Sequence, residues 1–135
     1  MGTSVNNKCN AFTSLEQSKM LSKILPCESA DFCWGLDSET MQYNNVPYPL
    51  PYVGYTAREY YVPCWSLGAL LETLPMPTLE QDKADGELFW QCSVYNDEGE
   101  KLCETYSSDK VDACVDLITK LHELKRLDCL NCWRV

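Results

Sequence analysis

Proline divides this chain into blocks, each of which can hold only one kind of regular structure. Pro26, the trio Pro47, Pro49 and Pro51, then Pro63, and finally Pro75 and Pro77 each fix φ and remove a backbone donor. Neither a helix interior nor a central strand runs comfortably through such positions, so the elements lie between them. Ahead of Pro26, Leu15, Met20, Leu21, Ile24 and Leu25 recur at helical spacing and predict a helix over 14–25. Thr13-Ser14-Leu15-Glu16 reads as its capping box, with the Thr13 hydroxyl accepting from Glu16 and the Glu16 carboxylate reaching back. Residues 1–11 are polar and are expected to fray.

After Pro26 the period changes to two. Ala30–Leu36 alternates, with Phe32, Trp34 and Leu36 on one face, and predicts a strand. Asp37-Ser38-Glu39 reads as a turn and Met41–Tyr43 as a short second strand. Residues 44–59 are a Pro/Tyr-rich loop, because alternating prolines favour an extended path without ladder bonds. Tyr60-Tyr61-Val62 returns as strand before Pro63. Ser66 can cap a second helix whose stripe is Leu67, Leu70, Leu71 and Leu74, ended by Pro75 and Pro77. Residues 80–86 read as a charged stretch ending in an Asp85-Gly86 turn.

Leu88–Tyr95 and Lys101–Tyr106 form the clearest hairpin, with Gly99 in the left-handed position of a three-residue loop. That register groups Leu88, Trp90, Cys92 and Val94 with Leu102 and Tyr106, and sends Cys92 and Cys103 to opposite faces, unbonded. Asp109 to about Arg126 is the strongest helix. Its buried stripe is Val111, Cys114, Val115, Ile118, Leu121 and Leu124 or Lys125, with acids at its start and bases at its end. The expected fold is a single α+β domain over residues 1–135. Its mainly antiparallel sheet packs against about three helices in the order α-β-β-(β)-α-β-β-α.

The chain has 135 residues, 45% of them hydrophobic, which suits one globular domain rather than a disordered tail. Its formal net charge of −9 argues against a nucleic-acid groove, which needs clustered Lys and Arg. No run of about 18 apolar residues is present, so no membrane span is expected. Met1–Lys8 lacks the basic and apolar regions of a secretory signal. The nine cysteines are odd in number, which prevents complete pairing within one chain. Most are expected to be reduced and to pack as small buried hydrophobes, and the chain is read as cytoplasmic.

Candidate chemistry is sparse. His122, the only histidine, could act as a base or a metal ligand, but with no identifiable partner it is better explained as a half-buried helix residue. Cys64-Trp65-Ser66-Leu67-Gly68 keeps part of a nucleophile elbow, yet Cys64 replaces the first glycine that permits the sharp turn. Ser66 is explained more simply as a helix cap, and Cys64 as a nucleophile would depend on His122. Cys129-Leu130-Asn131-Cys132 has the spacing of half a zinc site or of a redox pair, without a second ligand pair. Asp109, Asp112 and Asp116 lack a calcium-loop pattern. No cofactor is expected.

Six of the eight tyrosines (43, 48, 52, 55, 60 and 61) fall in or beside the proline-rich segment. Tyr48, Tyr52, Tyr55 and Tyr60 are the candidate binding residues, since exposed tyrosines make amphipathic contact patches. The same rings could instead be buried as a lid over a small core.

Pro63-Cys64-Trp65-Ser66-Leu67-Gly68-Ala69-Leu70-Leu71, and Val111-Asp112-Ala113-Cys114-Val115 through Leu121, give the chain a further likeness. It resembles small α+β proteins of gut bacteria and of their prophages and mobile elements, over roughly residues 60–125. The resemblance implies an order of elements; it brings no reaction and no catalytic residues, and it does not account for Cys129 and Cys132. Three functions are expected, in this order. The first is a non-enzymatic accessory protein that binds a protein partner through its aromatic-proline surface. The second is a small thiol-dependent or metal-binding protein using Cys129 and Cys132. The third is an acidic decoy of a nucleic-acid-binding protein.

Overall fold

The computed structural model describes residues 11–37, 40–43, 47–49 and 61–124. The elements are α1 (Leu15–Leu21), a 3₁₀ turn (Cys27–Ser29), β1 (Phe32–Asp37), β2 (Gln42–Tyr43), β3 (Tyr48–Pro49) and β4 (Tyr61–Cys64). They continue with α2 (Leu67–Glu72), β5 (Thr78–Ala84), β6 (Glu87–Tyr95), β7 (Lys101–Ser107) and α3 (Lys110–Glu123). The fold is α+β, with two antiparallel sheets and three helices among the described residues. The chain forms two compact units, divided between Ala69 and Leu70. Among the described residues no helix is long and apolar enough to cross a membrane.

In the first unit β1 is the strand that all others use. β4 pairs with it from Phe32↔Cys64 to Gly35↔Tyr61, β3 through Phe32↔Pro49 and Cys33↔Tyr48, and β2 through Leu36↔Tyr43 and Asp37↔Gln42. Proline therefore does enter strands here, within the predicted loop at Pro49 and within β4 at Pro63. Both prolines lie on strands that flank β1, where a missing donor can face away from the ladder. Of the face expected for β1, Trp34 is buried and Phe32 half-buried, while Cys33 on the opposite face is fully buried as well. Trp34, Val62 and Cys64 form the buried cluster, and Phe12, Leu15, Phe32 and Tyr43 pack on it. Phe12 and Phe32 meet edge to face at 4.5 Å.

The first helix begins one residue later than the sequence suggests. Ser14, not Thr13, is the N-cap; its Oγ accepts from Gln17 N at 3.1 Å, and the Gln17 amide oxygen accepts from Ser14 N at 2.9 Å. Thr13 is unavailable for capping because it is fully buried and its hydroxyl is used inside the unit. The helix also stops early: Ser22 is the C-cap, and Ile24 and Leu25 continue as turns bonded back to Leu21 O at 2.8 Å each. Ser66 caps α2 as expected, accepting from Ala69 N at 3.2 Å.

The second unit is a β5–β6–β7 meander with α3 packed on β6 and β7. The charged stretch after Pro77 is a strand, so the order becomes α-β-β-β-β-α-β-β-β-α. Pairing creates β5 where burial does not. Asp85 (φ 53°) and Gly86 (φ 81°) form a two-residue hairpin turn, and the ladder from Ala84↔Glu87 to Thr78↔Ser93 follows from it.

The β6–β7 register also corrects the expectation. The Asn96–Glu100 connection closes as predicted, with Gly99 at φ 85° and Gly99 N bonded to Asn96 O at 3.0 Å. However, Tyr95 pairs with Lys101 while Val94 pairs with Cys103, so Leu102 is an extra residue on β7. This bulge shifts every later β7 side chain to the other face. Cys92 and Cys103 therefore share a face, with Thr105, instead of lying on opposite faces; both are free thiols. Tyr106 moves to the opposite face, where its ring meets Phe89 edge to face at 5.6 Å.

α3 covers the Cys92 face. Thr105 Oγ1 donates to Ala113 O at 2.6 Å, and Val111, Ala113, Cys114, Val115, Leu117, Ile118 and Leu121 are buried. Asp109 caps the helix through Val111 N (2.7 Å) and Asp112 N (3.2 Å). The helix ends at Glu123, and Leu124, offered by the sequence as a buried position, is 52% exposed.

Candidate functional site

Trp65 is fully buried, and the elbow-like residues around it form a hydrogen-bonded core in the first unit. Thr13 Oγ1 accepts from Trp65 N at 3.1 Å and lies 2.7 Å from Ser18 Oγ; it also donates to Cys64 Sγ at 3.4 Å. The Trp65 indole donates to Ser29 Oγ at 2.8 Å. Asp31 accepts from Ser66 N at 2.9 Å and from the Ser66 hydroxyl. Nothing in the local sequence marks Thr13 for this position except its nearness to Ser14 and Ser18, and its other partners, Cys64 and Trp65, are some fifty residues away.

This geometry answers the elbow reading directly. Ser66 Oγ donates to a carboxylate while accepting a helix N–H, which is the work of a cap. Cys64 is fully buried, and burial pushes its thiol up to about 11, so it is protonated at neutral pH. His122 is exposed in the last turn of α3. No cluster of three or more potential metal ligands occurs among the described residues.

The raised thiol sets a pH dependence. A group whose folded pKa lies above its unfolded value stabilises the fold fully below the unfolded pKa and loses that contribution as pH rises through the folded one. Stability is therefore expected to fall by roughly 2–3 kcal/mol between about pH 9 and pH 11 from Cys64 alone, at 1.36 kcal/mol per pKa unit. Urea titrations at pH 8 and pH 11 measure this. Cys64→Ala should reduce the difference by that amount, and an unchanged difference would contradict the assignment.

In the second unit Cys92 and Cys114 are buried with their sulfurs 3.6 Å apart. The shared hydrogen bond, reinforced by burial, pushes the Cys114 thiol up.

On the sheet face opposite α3, Glu104 gathers a polar group around the Phe89–Tyr106 ring pair. It accepts from Gln91 Nε2 (2.8 Å), Lys101 Nζ (2.6 Å) and the Tyr106 hydroxyl (3.1 Å). Lys101, and after it Tyr106, hold the Glu104 carboxyl below its usual range, while Glu104 raises both Lys101 and Tyr106. The Asp85-Gly86 turn was the sequence signal for this face, since a two-residue turn before a strand requires another strand ahead of it.

Of the sequence-predicted binding residues, the backbone of Tyr48 is placed on β3 opposite Cys33. Tyr52, Tyr55 and Tyr60, and the weak metal candidates Cys129 and Cys132, lie outside the described residues. Comparison with protein-family models, with curated proteins and with solved structures gives no match.

Proposed function

We propose that the chain is a non-enzymatic accessory protein that binds a protein partner through the aromatic-proline segment carrying Tyr48, Tyr52, Tyr55 and Tyr60. The observation that supports this is the anchoring of the segment. Tyr48–Pro49 and Tyr61–Cys64 both pair with β1, so Pro49 and Tyr61, which bracket residues 50–60, are fixed to one strand. A recognition segment whose flanking residues are paired into a sheet loses less freedom on binding than a free tail. The residues with catalytic potential point the same way, because Ser66 and Cys64 are engaged in capping and in the core.

The test replaces Tyr48, Tyr52 and Tyr55 with serine together and compares cross-linked partner capture with the far-UV circular dichroism of the two proteins. The expected result is capture reduced at least about tenfold with an unchanged spectrum, as for loss of interface hot spots. Loss of the folded spectrum would assign those rings to the core, and undiminished capture would place the contact elsewhere.

A further inference from the structure

We propose that the sheet face carrying Phe89 and Tyr106 docks an arginine- or lysine-rich segment of a partner protein. The inference rests on the reading that this chain acts by contact, but it concerns a surface separate from the tyrosine-proline segment.

The register places a row of carboxylates around the two rings. Asp82 stands opposite Phe89, Glu80 opposite Gln91, Glu87 opposite Ala84 and Glu104 opposite Ser93, all on the face away from α3. Glu80, Asp82 and Glu87 are exposed, and Tyr106 is 52% exposed. Among the described residues the ammonium on this face is Lys101, and Glu104 already holds it. Four carboxylates against one paired cation leave the face strongly negative.

The chemistry of the occupant follows. A guanidinium or ammonium can lie over the Tyr106 ring, whose hydroxyl is bonded to Glu104, while the flanking acids supply charge. The row from Glu87 to Gln91 extends about 14 Å at the usual rise per residue, the length of some four residues of extended peptide. An open depression bounded by Asp85, Glu87, Phe89 and Tyr106 lies at the hairpin end of this row.

The experiment uses the full chain and a fluorescein-labelled heptapeptide of alternating arginine and leucine, followed by fluorescence anisotropy. One variant removes the local charge (Glu80→Gln, Asp82→Asn, Glu87→Gln). A second removes the same net charge elsewhere in the same unit (Asp97→Asn, Glu98→Gln, Glu123→Gln). A third is Tyr106→Ala, and circular dichroism confirms that each variant is folded. The expected result is binding by the native chain, weakened at least about fivefold by the first variant, about two- to fivefold by the third, and little by the second. Equal weakening by both charge variants would reduce the effect to overall acidity and overturn the proposal. Absence of binding to the native chain would also overturn it, while leaving the tyrosine-proline contact to its own test.

Discussion

Trp65→Ala is expected to lower stability by about 3–5 kcal/mol, a large share of what a domain of this kind possesses. The indole is fully buried, so truncation leaves a cavity that the surrounding residues can fill only in part. Its N–H donates to Ser29 Oγ at 2.8 Å, and its backbone is tied to Thr13 from both directions: Trp65 N to Thr13 Oγ1 at 3.1 Å and Thr13 N to Trp65 O at 2.9 Å. Urea unfolding monitored at 222 nm measures the loss. Trp65→Phe should recover most of it, because the ring volume returns while only one hydrogen bond is missing. A loss below about 1 kcal/mol for the alanine variant would show that Trp65 is not a core residue.

The second large effect is expected at Thr13. Thr13→Val keeps the shape and removes the hydroxyl, which leaves the Trp65 N–H and the Ser18 hydroxyl without this partner in a fully buried setting. Each orphaned group costs roughly 1–3 kcal/mol. Ser14→Ala, one residue later, removes an N-cap at the surface of the helix and should cost only about 1 kcal/mol. The sequence makes the opposite prediction, because it assigns the cap to Thr13. Measuring both variants by urea unfolding therefore decides which residue caps α1. Equal losses, or a larger loss at Ser14, would contradict the buried role of Thr13.

The pair also shows what can be read along a chain and what cannot. Periodicity located α1, β1, α2, β6, β7 and α3, because each buries a face and burial leaves a pattern. It could not separate Thr13 from Ser14, since either hydroxyl satisfies a capping motif; the choice is made by Trp65, far along the sequence. It passed over β5 because five of that strand's seven residues are exposed and leave no alternation. There the only trace is the turn chemistry of Asp85-Gly86. The one-residue bulge at Leu102 is smaller still, yet it exchanges the neighbours of Cys103 and Tyr106. The Phe89–Tyr106 face was hidden behind both errors at once. Ser66 was legible as a cap because capping is local chemistry, whereas the binding tyrosines were legible only as a composition.

Among the described residues β5 stands at the outer edge of its sheet, and no described strand pairs with its outer side. Two copies that met there about a two-fold axis would have to set like charges against each other in their long registers. Centring on Gln81 brings Glu80 against Asp82 of the other copy. Centring on Glu80, Asp82 or Lys83 brings that residue against its own counterpart. The charges that erased the strand from the hydrophobic pattern thus act as a guard against two-fold pairing of this edge with a second copy.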